Sequence, residues 1–308
     1  MSGLAILCPG QGNQSAGMFD RVRGNSAGED VLCEAASLFG EHPAAFSQRE
    51  AEAKLFANAF AQPLIATAIL ASWAALRGSL PVPRIFAGYS AGELPAYGCA
   101  GALGGTETLE LVRIRAGLMD GDGSRPGGLV GVRGVVRARV EALCREFGLE
   151  VAIVNGPDHF VLGGPSDAVQ RFEGEAPALG IPKARRLPVT VASHTPLLTA
   201  AGESLTLQLE KSALVHPTVP VLAGITGEVV RRRERAIATL GRQVYQPVHW
   251  DSCLQTAVEM GCTVFLEIGP GSALSQMVRE AFPELKARGL EEFRSIQGAA
   301  DWVLRNLE

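Results

Sequence analysis

Residues 120–128 read DGDGSRPGG, the densest run of Gly, Asp, Ser and Pro in the chain. Glycine admits backbone angles that other residues avoid and proline lacks an N–H, so the run predicts a loop and a domain boundary. The pattern changes on its far side. LVGVRGV (129–135) reads as a strand, VRARVEALCREFG (136–148) as a helix, and LEVAIVNGPDHFVLGGP (149–165) as two strands about a proline-containing turn. SDAVQRFEGEAPALG (166–180) then reads as a helix and KARRLPVTV (183–191) as a strand. The order β-α-β-β-α-β is that of the split βαβ, ferredoxin-like unit.

Either side of this unit the alternation is different. LAILCPG (4–10), RIFAG (84–88), VPVLAGITG (219–227) and TVFLEIGPG (263–271) are short apolar runs that end in turn residues, as buried parallel strands do. Helical stretches separate them: 48–77, read as two helices broken at Pro63, then 106–119, a return to helix after 192, and 231–244. The expected architecture is α/β: a parallel-sheet, α/β-hydrolase-like large domain built from 1–122 and 192–308, with a ferredoxin-like subdomain inserted at 123–191.

Composition narrows the function classes. With 308 residues, 47% apolar and 19% charged, the chain is globular and long enough for two domains or one with an insert. Twenty-eight Lys and Arg against 32 Asp and Glu leave a net charge of −4, which argues against nucleic acid or an anionic membrane as partner. The opening MSGLAILCPG lacks a basic segment, and no uninterrupted apolar window of membrane-spanning length is evident, so a cytoplasmic location is expected. The six cysteines form no CxxC pair and the five histidines no HExxH, so neither a disulfide framework nor a metal is expected.

Chemistry concentrates in a few places. Gly88-Tyr89-Ser90-Ala91-Gly92 fits G-x-S-x-G directly after an apolar strand and before a helix, the setting that lifts a serine hydroxyl clear of the backbone. The plainer reading of Ser90 is a helix N-cap. Pro95 falls early in that helix and predicts local distortion. For a base there are two candidates, His194 in VASHTP and His249 in QPVHWD, the latter with Asp251 beside it. Gln11 lies just past the first strand, where α/β folds build their sites, although a tight turn at Gly10 and Gly12 explains it equally. No Gly-Lys-Ser/Thr follows, which sets aside a phosphate loop. Arg113 and Arg115, two apart on one helix, must face different ways. In an apolar helix Arg115 needs a partner; a salt bridge to Glu107 or Glu110, or simple solvation, is the plain reading, and a carboxylate ligand the other. RRRER (231–235) reads as a solvated face.

Taken together these signals resemble the malonyl-CoA:acyl carrier protein transacylases. The resemblance lies in PGQGNQSAGM (9–18), GYSAGE (88–93), RIRAGLM (113–119), ASHTPLL (192–198), RQVYQPVHW (242–250) and EIGPGSAL (267–274), in order and over essentially the whole chain. It implies Ser90 as nucleophile, His194 as its base, and Arg115 as the partner of the malonyl carboxylate. It further implies an oxyanion hole from the backbone N–H groups of Gln11 and Ala91, and a backbone carbonyl at Gln243 that orients the histidine. Malonyl-CoA would be the substrate, an acyl carrier protein the partner through its phosphopantetheine thiol, and no cofactor would be bound.

Tyr89, where fatty-acid members of that family usually carry His, and Pro95, Tyr97 and Cys99 depart from the pattern. GYSAGELPAYGCAGAL (88–103) is more similar to the transacylase (epsilon) subunit of malonate decarboxylase, which makes other subunits of such a complex expected partners. Two rivals remain. A serine thioesterase or hydrolase would need an acid such as Asp120, Asp122, Asp158 or Asp167 and an HGGG-type motif, which is absent. A non-catalytic assembly subunit would have no use for Ser90 and His194.

Overall fold

The computed structural model describes residues 2–121 and 126–308. The expected boundary between 122 and 123 lies outside the described residues, as does Asp122. The described strands, β1 (Gly3–Cys8), β2 (Ile85–Gly88), β3 (Gly127–Arg133), β4 (Glu150–Gly156), β5 (His159–Pro165), β6 (Lys183–Arg186), β7 (Val221–Leu222), β8 (Val229–Val230), β9 (Val248–His249), β10 (Cys262–Glu267) and β11 (Lys286–Gly289), form two sheets.

The larger sheet has the order β11-β10-β1-β2-β7-β8 and is parallel except for β8, which runs antiparallel to β7. Its central strand, β1, is buried at every residue, which is why GLAILC shows no polar alternation: helices cover both faces. The helix Asn58–Leu76 packs against the helices Ser26–Phe39 and Gly105–Gly121. Pro63 does not break it, contrary to the expected division there: Pro63 lies inside this helix, and the burial of its neighbours on nearly every side outweighs one lost backbone hydrogen bond, a penalty of about 3 kcal/mol in isolation. The same helix is the segment that tests the membrane-window expectation, and its polar interruptions still meet it. Its polar residues, Asn58, Gln62, Thr67 and Ser72, are uncharged, so its mean hydropathy of 1.6 and its length match those of a membrane span, yet 72% of it is buried inside the protein.

The smaller sheet has the order β6-β3-β5-β4-β9, with β3 to β6 antiparallel to their neighbours and β9 parallel to β4. Its side chains alternate between two cores. Val130, Val132, Val154, Phe160 and Leu162 meet the helices Arg137–Phe147 and Ser166–Glu175, where Phe147 and Phe172 pack edge to face at 5.3 Å. Leu129, Ile153 and Val161 point the other way into the main core, as period-two strands require. Two features differ from the expectation. β6 ends at Arg186 instead of reaching 191, because Pro188 has no N–H for the ladder. β9 comes from chain beyond 192, so the inserted segment alone does not complete its sheet.

Where β1 and β2 end side by side, Cys8 opposite Gly88, the chain leaves both strands in tight turns. A Cβ on Gly92 would stand 2.2 Å from the Cys8 carbonyl oxygen and 2.5 Å from that of Pro9. Both are backbone atoms that cannot swing aside. Gly92→Ala is therefore expected to cost about 3 kcal/mol or more in denaturant unfolding. Gly78→Ala, where a Cβ would meet nothing within 4 Å, should stay within about 0.5 kcal/mol of the parent. Equal effects at the two glycines would contradict this packing.

Candidate active site

Ser90 sits in the turn between β2 and the helix Glu93–Cys99, in a single 3-10 turn over Ser90–Gly92. Tyr89 N–H donates to the Cys8 carbonyl at 2.9 Å, which pins the turn to β1. A Cβ on Gly88 would stand 2.2 Å from Glu93 Cα, so only glycine lets the helix start this close behind the strand. Pro95 occupies the third position of the α-helix, where an N–H would lack an intrahelical partner anyway, so the lost bond expected there does not arise; the 3-10 turn over Ser90–Gly92 precedes it. Among the described residues Ser90 (φ 52°) and His194 (φ 63°) are the two non-glycine residues in the left-handed region. Such backbone strain gathers at functional sites and persists only where the surroundings hold it.

The structure brings these two residues together. Ser90 Oγ lies 2.7 Å from His194 Nε2, and His194 Nδ1 lies 2.5 Å from the Gln243 backbone carbonyl oxygen. A carbonyl only accepts, so Nδ1 carries the proton and Nε2 presents its lone pair to the serine hydroxyl. The His194 N–H donates to Val244 O at 2.8 Å, which fixes the backbone behind the ring. Burial, and then the positive charge of Arg115, push the His194 pKa down to about 3, against the pull of the Gln243 carbonyl. The ring is a neutral acceptor at neutral pH.

Arg115 is 3% exposed and, among the described residues, has no carboxylate within ion-pair distance. Its guanidinium instead donates to two amide oxygens, Gln62 Oε1 at 2.6 Å and Gln243 Oε1 at 2.9 Å. Neither expected same-helix partner is used: Glu110 binds Arg113 on the exposed face, and Glu107 accepts from Ala213 N–H. Burial lowers the Arg115 pKa to about 10, with Glu93 opposing, so it remains a cation. Gln62 is held in turn by Asn58, whose Oδ1 it donates to at 2.7 Å and which also receives Gln11 Nε2 at 3.3 Å. Gln243 Nε2 donates to the Ser90 carbonyl at 2.8 Å and to Glu93 Oε2 at 2.9 Å. Burial raises the Glu93 carboxyl to about 7, with bonds from Gln243 and Gly224 pulling it back.

Gln11 lies in the loop just past β1, and a Cβ on Gly10 would lie 2.7 Å from the Tyr89 carbonyl, so this loop rests against the serine turn that contains Ala91. The histidine joined to Ser90 is His194; His249 belongs to β9, where its N–H donates to the Gly224 carbonyl at 2.7 Å, and its neighbour Asp251 accepts from Ser252 N–H on its own helix. In RRRER, Arg231 and Arg232 are exposed, Arg233 caps Leu214 and Glu210 carbonyls, and Arg235 pairs with Glu228. Asn58, Gln62 and Glu93 escaped the sequence reading. Asn58 and Gln62, four apart in an otherwise apolar helix, were the available signal, as was the acid that closes GYSAGE.

Glu29, Cys33 and His42 place one potential metal donor each within 4.8 Å of one another. They fit a metal poorly. His42 Nδ1 accepts the Ala44 N–H at 3.3 Å as a helix cap, so the proton of the neutral ring sits on Nε2, the nitrogen facing Glu29.

The Acyl transferase domain family matches residues 6–297. A malonyl CoA-acyl carrier protein transacylase of Salmonella typhimurium is 30% identical over 306 residues, covering 97% of this chain and 99% of that protein. The protein of the same name from Escherichia coli K12 is 29% identical over 98% of this chain and 100% of its own length. Among solved structures, the malonyl-CoA:acyl carrier protein transacylase of Xanthomonas oryzae superposes with a TM-score of 0.91 at 30% identity, over 99% of this chain and 98% of that one. A malonyl-transacylase solved in complex with a type II polyketide acyl-carrier protein gives 0.91 at 28% identity, over 97% of this chain and 99% of the other. With the serine–histidine pair, the buried guanidinium and these full-length similarities in agreement, the chain belongs to the acyl transferase domain family, as a relative of the malonyl-CoA:acyl carrier protein transacylases.

Proposed function

We propose that the protein transfers a malonyl group from malonyl-CoA to the phosphopantetheine thiol of an acyl carrier protein, through a malonyl ester on Ser90. Arg115 carries this reading. A buried cation whose donors go to neutral amides pays for desolvation without, among the described residues, a direct ion-pair partner, and a free carboxylate brought by the substrate supplies one. Gln243 joins that cation to the serine–histidine pair, touching Arg115, the Ser90 carbonyl and the His194 ring.

The chemistry runs in two halves. Ser90 Oγ attacks the thioester carbonyl while its proton passes to His194 Nε2, and the oxyanion is received by the backbone N–H groups of Gln11 and Ala91, each donor worth about 3 kcal/mol at the transition state. Collapse expels CoA as its thiol, which takes the proton from His194. The carrier's thiol then attacks the ester in the reverse sense, and Ser90 regains its proton. The Gln243 carbonyl stands where a triad places a carboxylate and keeps the ring in the Nδ1–H form. A hydrolase reading lacks support here, since among the described residues the imidazole Nδ1 meets a backbone carbonyl and no acid, and a carboxylate-receiving Arg115 has no place in it. No cofactor takes part.

The finer fold assignment belongs to the same proposal. The order β6-β3-β5-β4 with two helices on one face supports a ferredoxin-like subdomain at 123–191, and the parallel sheet supports an α/β-hydrolase-like domain from 1–122 and 192–308. For the pathway, Tyr89, Pro95, Tyr97 and Cys99 support a role as the transacylase of a malonate decarboxylase over one in fatty-acid or polyketide synthesis.

Four experiments test this reading. Radiolabelled malonyl-CoA should label the parent in a burst and leave Ser90→Ala unlabelled, while Arg115→Ala should lose at least about a hundredfold in kcat/KM for malonyl-CoA and stay within about threefold for acetyl-CoA. Unchanged selectivity in Arg115→Ala would remove the carboxylate role. Nitrogen-15 NMR should find His194 as the neutral Nδ1–H tautomer at pH 5, since its pKa is held near 3; a titration midpoint near 6.5 would contradict the buried base. Finally, transfer to a malonate decarboxylase carrier should exceed transfer to a fatty-acid carrier by about tenfold in kcat/KM, and the opposite order would reassign the pathway.

A further inference from the structure

Glu93 is wholly buried one helical turn beyond Ser90, and it does not touch Arg115 directly. Its Oε2 accepts Gln243 Nε2 at 2.9 Å and Gly224 N–H at 3.1 Å, while its Oε1 has no hydrogen-bond partner among the described residues. Gln243 is therefore gripped from opposite ends. Its NH2 donates to two acceptors, Glu93 Oε2 and the Ser90 carbonyl, and its Oε1 accepts from Arg115. Turning that amide over would set its oxygen against both acceptors and its NH2 against the guanidinium, so one orientation is permitted. The order carboxylate, amide, guanidinium also keeps Glu93 from closing an ion pair that would consume the donors of Arg115.

We infer that Glu93 is a positioning residue for acyl selection: by accepting from Gln243 it keeps Oε1 turned toward Arg115 and so holds the guanidinium where the substrate carboxylate must meet it. The inference rests on the proposed role of Arg115. A side chain that merely tied the Ser90 helix to the end of the helix Arg233–Gln243 would support malonyl and acetyl transfer alike. One that orients the Arg115 clamp affects malonyl alone.

The test compares kcat/KM for malonyl-CoA and acetyl-CoA in the full-length enzyme, with Arg115→Ala run alongside. Glu93→Met removes the acceptor at similar length and should lower the malonyl-to-acetyl ratio by about tenfold or more, the range of one buried hydrogen bond to a charged group. Glu93→Gln keeps an acceptor oxygen and should hold the ratio within about threefold. If Glu93→Met does not fold, Glu93→Asp, which withdraws the acceptor by one methylene, is read instead and should also lose the ratio. An unchanged ratio in Met or Asp overturns the inference, as does an equal loss for both acyl groups or a loss in Gln as large as in Met. If Arg115→Ala also leaves the ratio unchanged, the functional reading itself has failed; if Arg115→Ala collapses the ratio and Glu93 variants do not, only the role of Glu93 has.

Discussion

A guanidinium buried against neutral amides is the constraint on which this site turns. Removing a charge from water costs several kcal/mol even after relaxation, and most proteins recover it by pairing with an acid. Here Arg115 reaches two glutamine oxygens, and the nearest carboxylate influencing it, Glu93, stands behind one of those amides. The surrounding framework can be read from that choice. Asn58 steadies Gln62, Glu93 steadies Gln243, and Gln243 also holds the His194 ring through its own backbone.

The backbone at the site is similarly committed. Ser90 and His194 both adopt left-handed angles, and each is secured by non-local bonds: Tyr89 to Cys8 beneath the serine turn, and His194 to Val244 behind the imidazole. Glycines at 88 and 92 admit the close approach of the serine turn to β1 and to its own helix. The strained conformations aim Oγ at Nε2, and the packed sheet ends carry the strain. The parallel register of β1 and β2 is what places the loop with Gln11 beside the turn with Ser90.

The fold was largely legible in the sequence because its signals are local. Apolar runs ending in turn residues marked β1, β2 and β10, and short apolar segments set between turns and helices marked β3, β4 and β5. The misses have physical reasons. Two-residue strands such as β8 and β9 exist only through their partners, and Pro63 looked like a break because propensity alone ignores the burial that keeps its helix intact. In the site, Ser90 stood out by its turn, whereas Asn58, Gln62 and Glu93 passed unnoticed because uncharged amides in a helix and an acid after a serine are ordinary in isolation.

By itself, then, the sequence determined most of the longer strands, the serine turn and the motifs that mark a transacylase relative, since each depends on neighbours a few positions away. The family motifs already implied His194 as the partner of Ser90; the contact that joins them, and which groups receive Arg115, were decided by tertiary structure. Those choices join Ser90 to His194 and Arg115 to Gln243 across separations of 104 and 128 residues. Hydrogen bonds depend on distance and direction in space, and only the packing of the two sheets and their helices brings such donors and acceptors within reach.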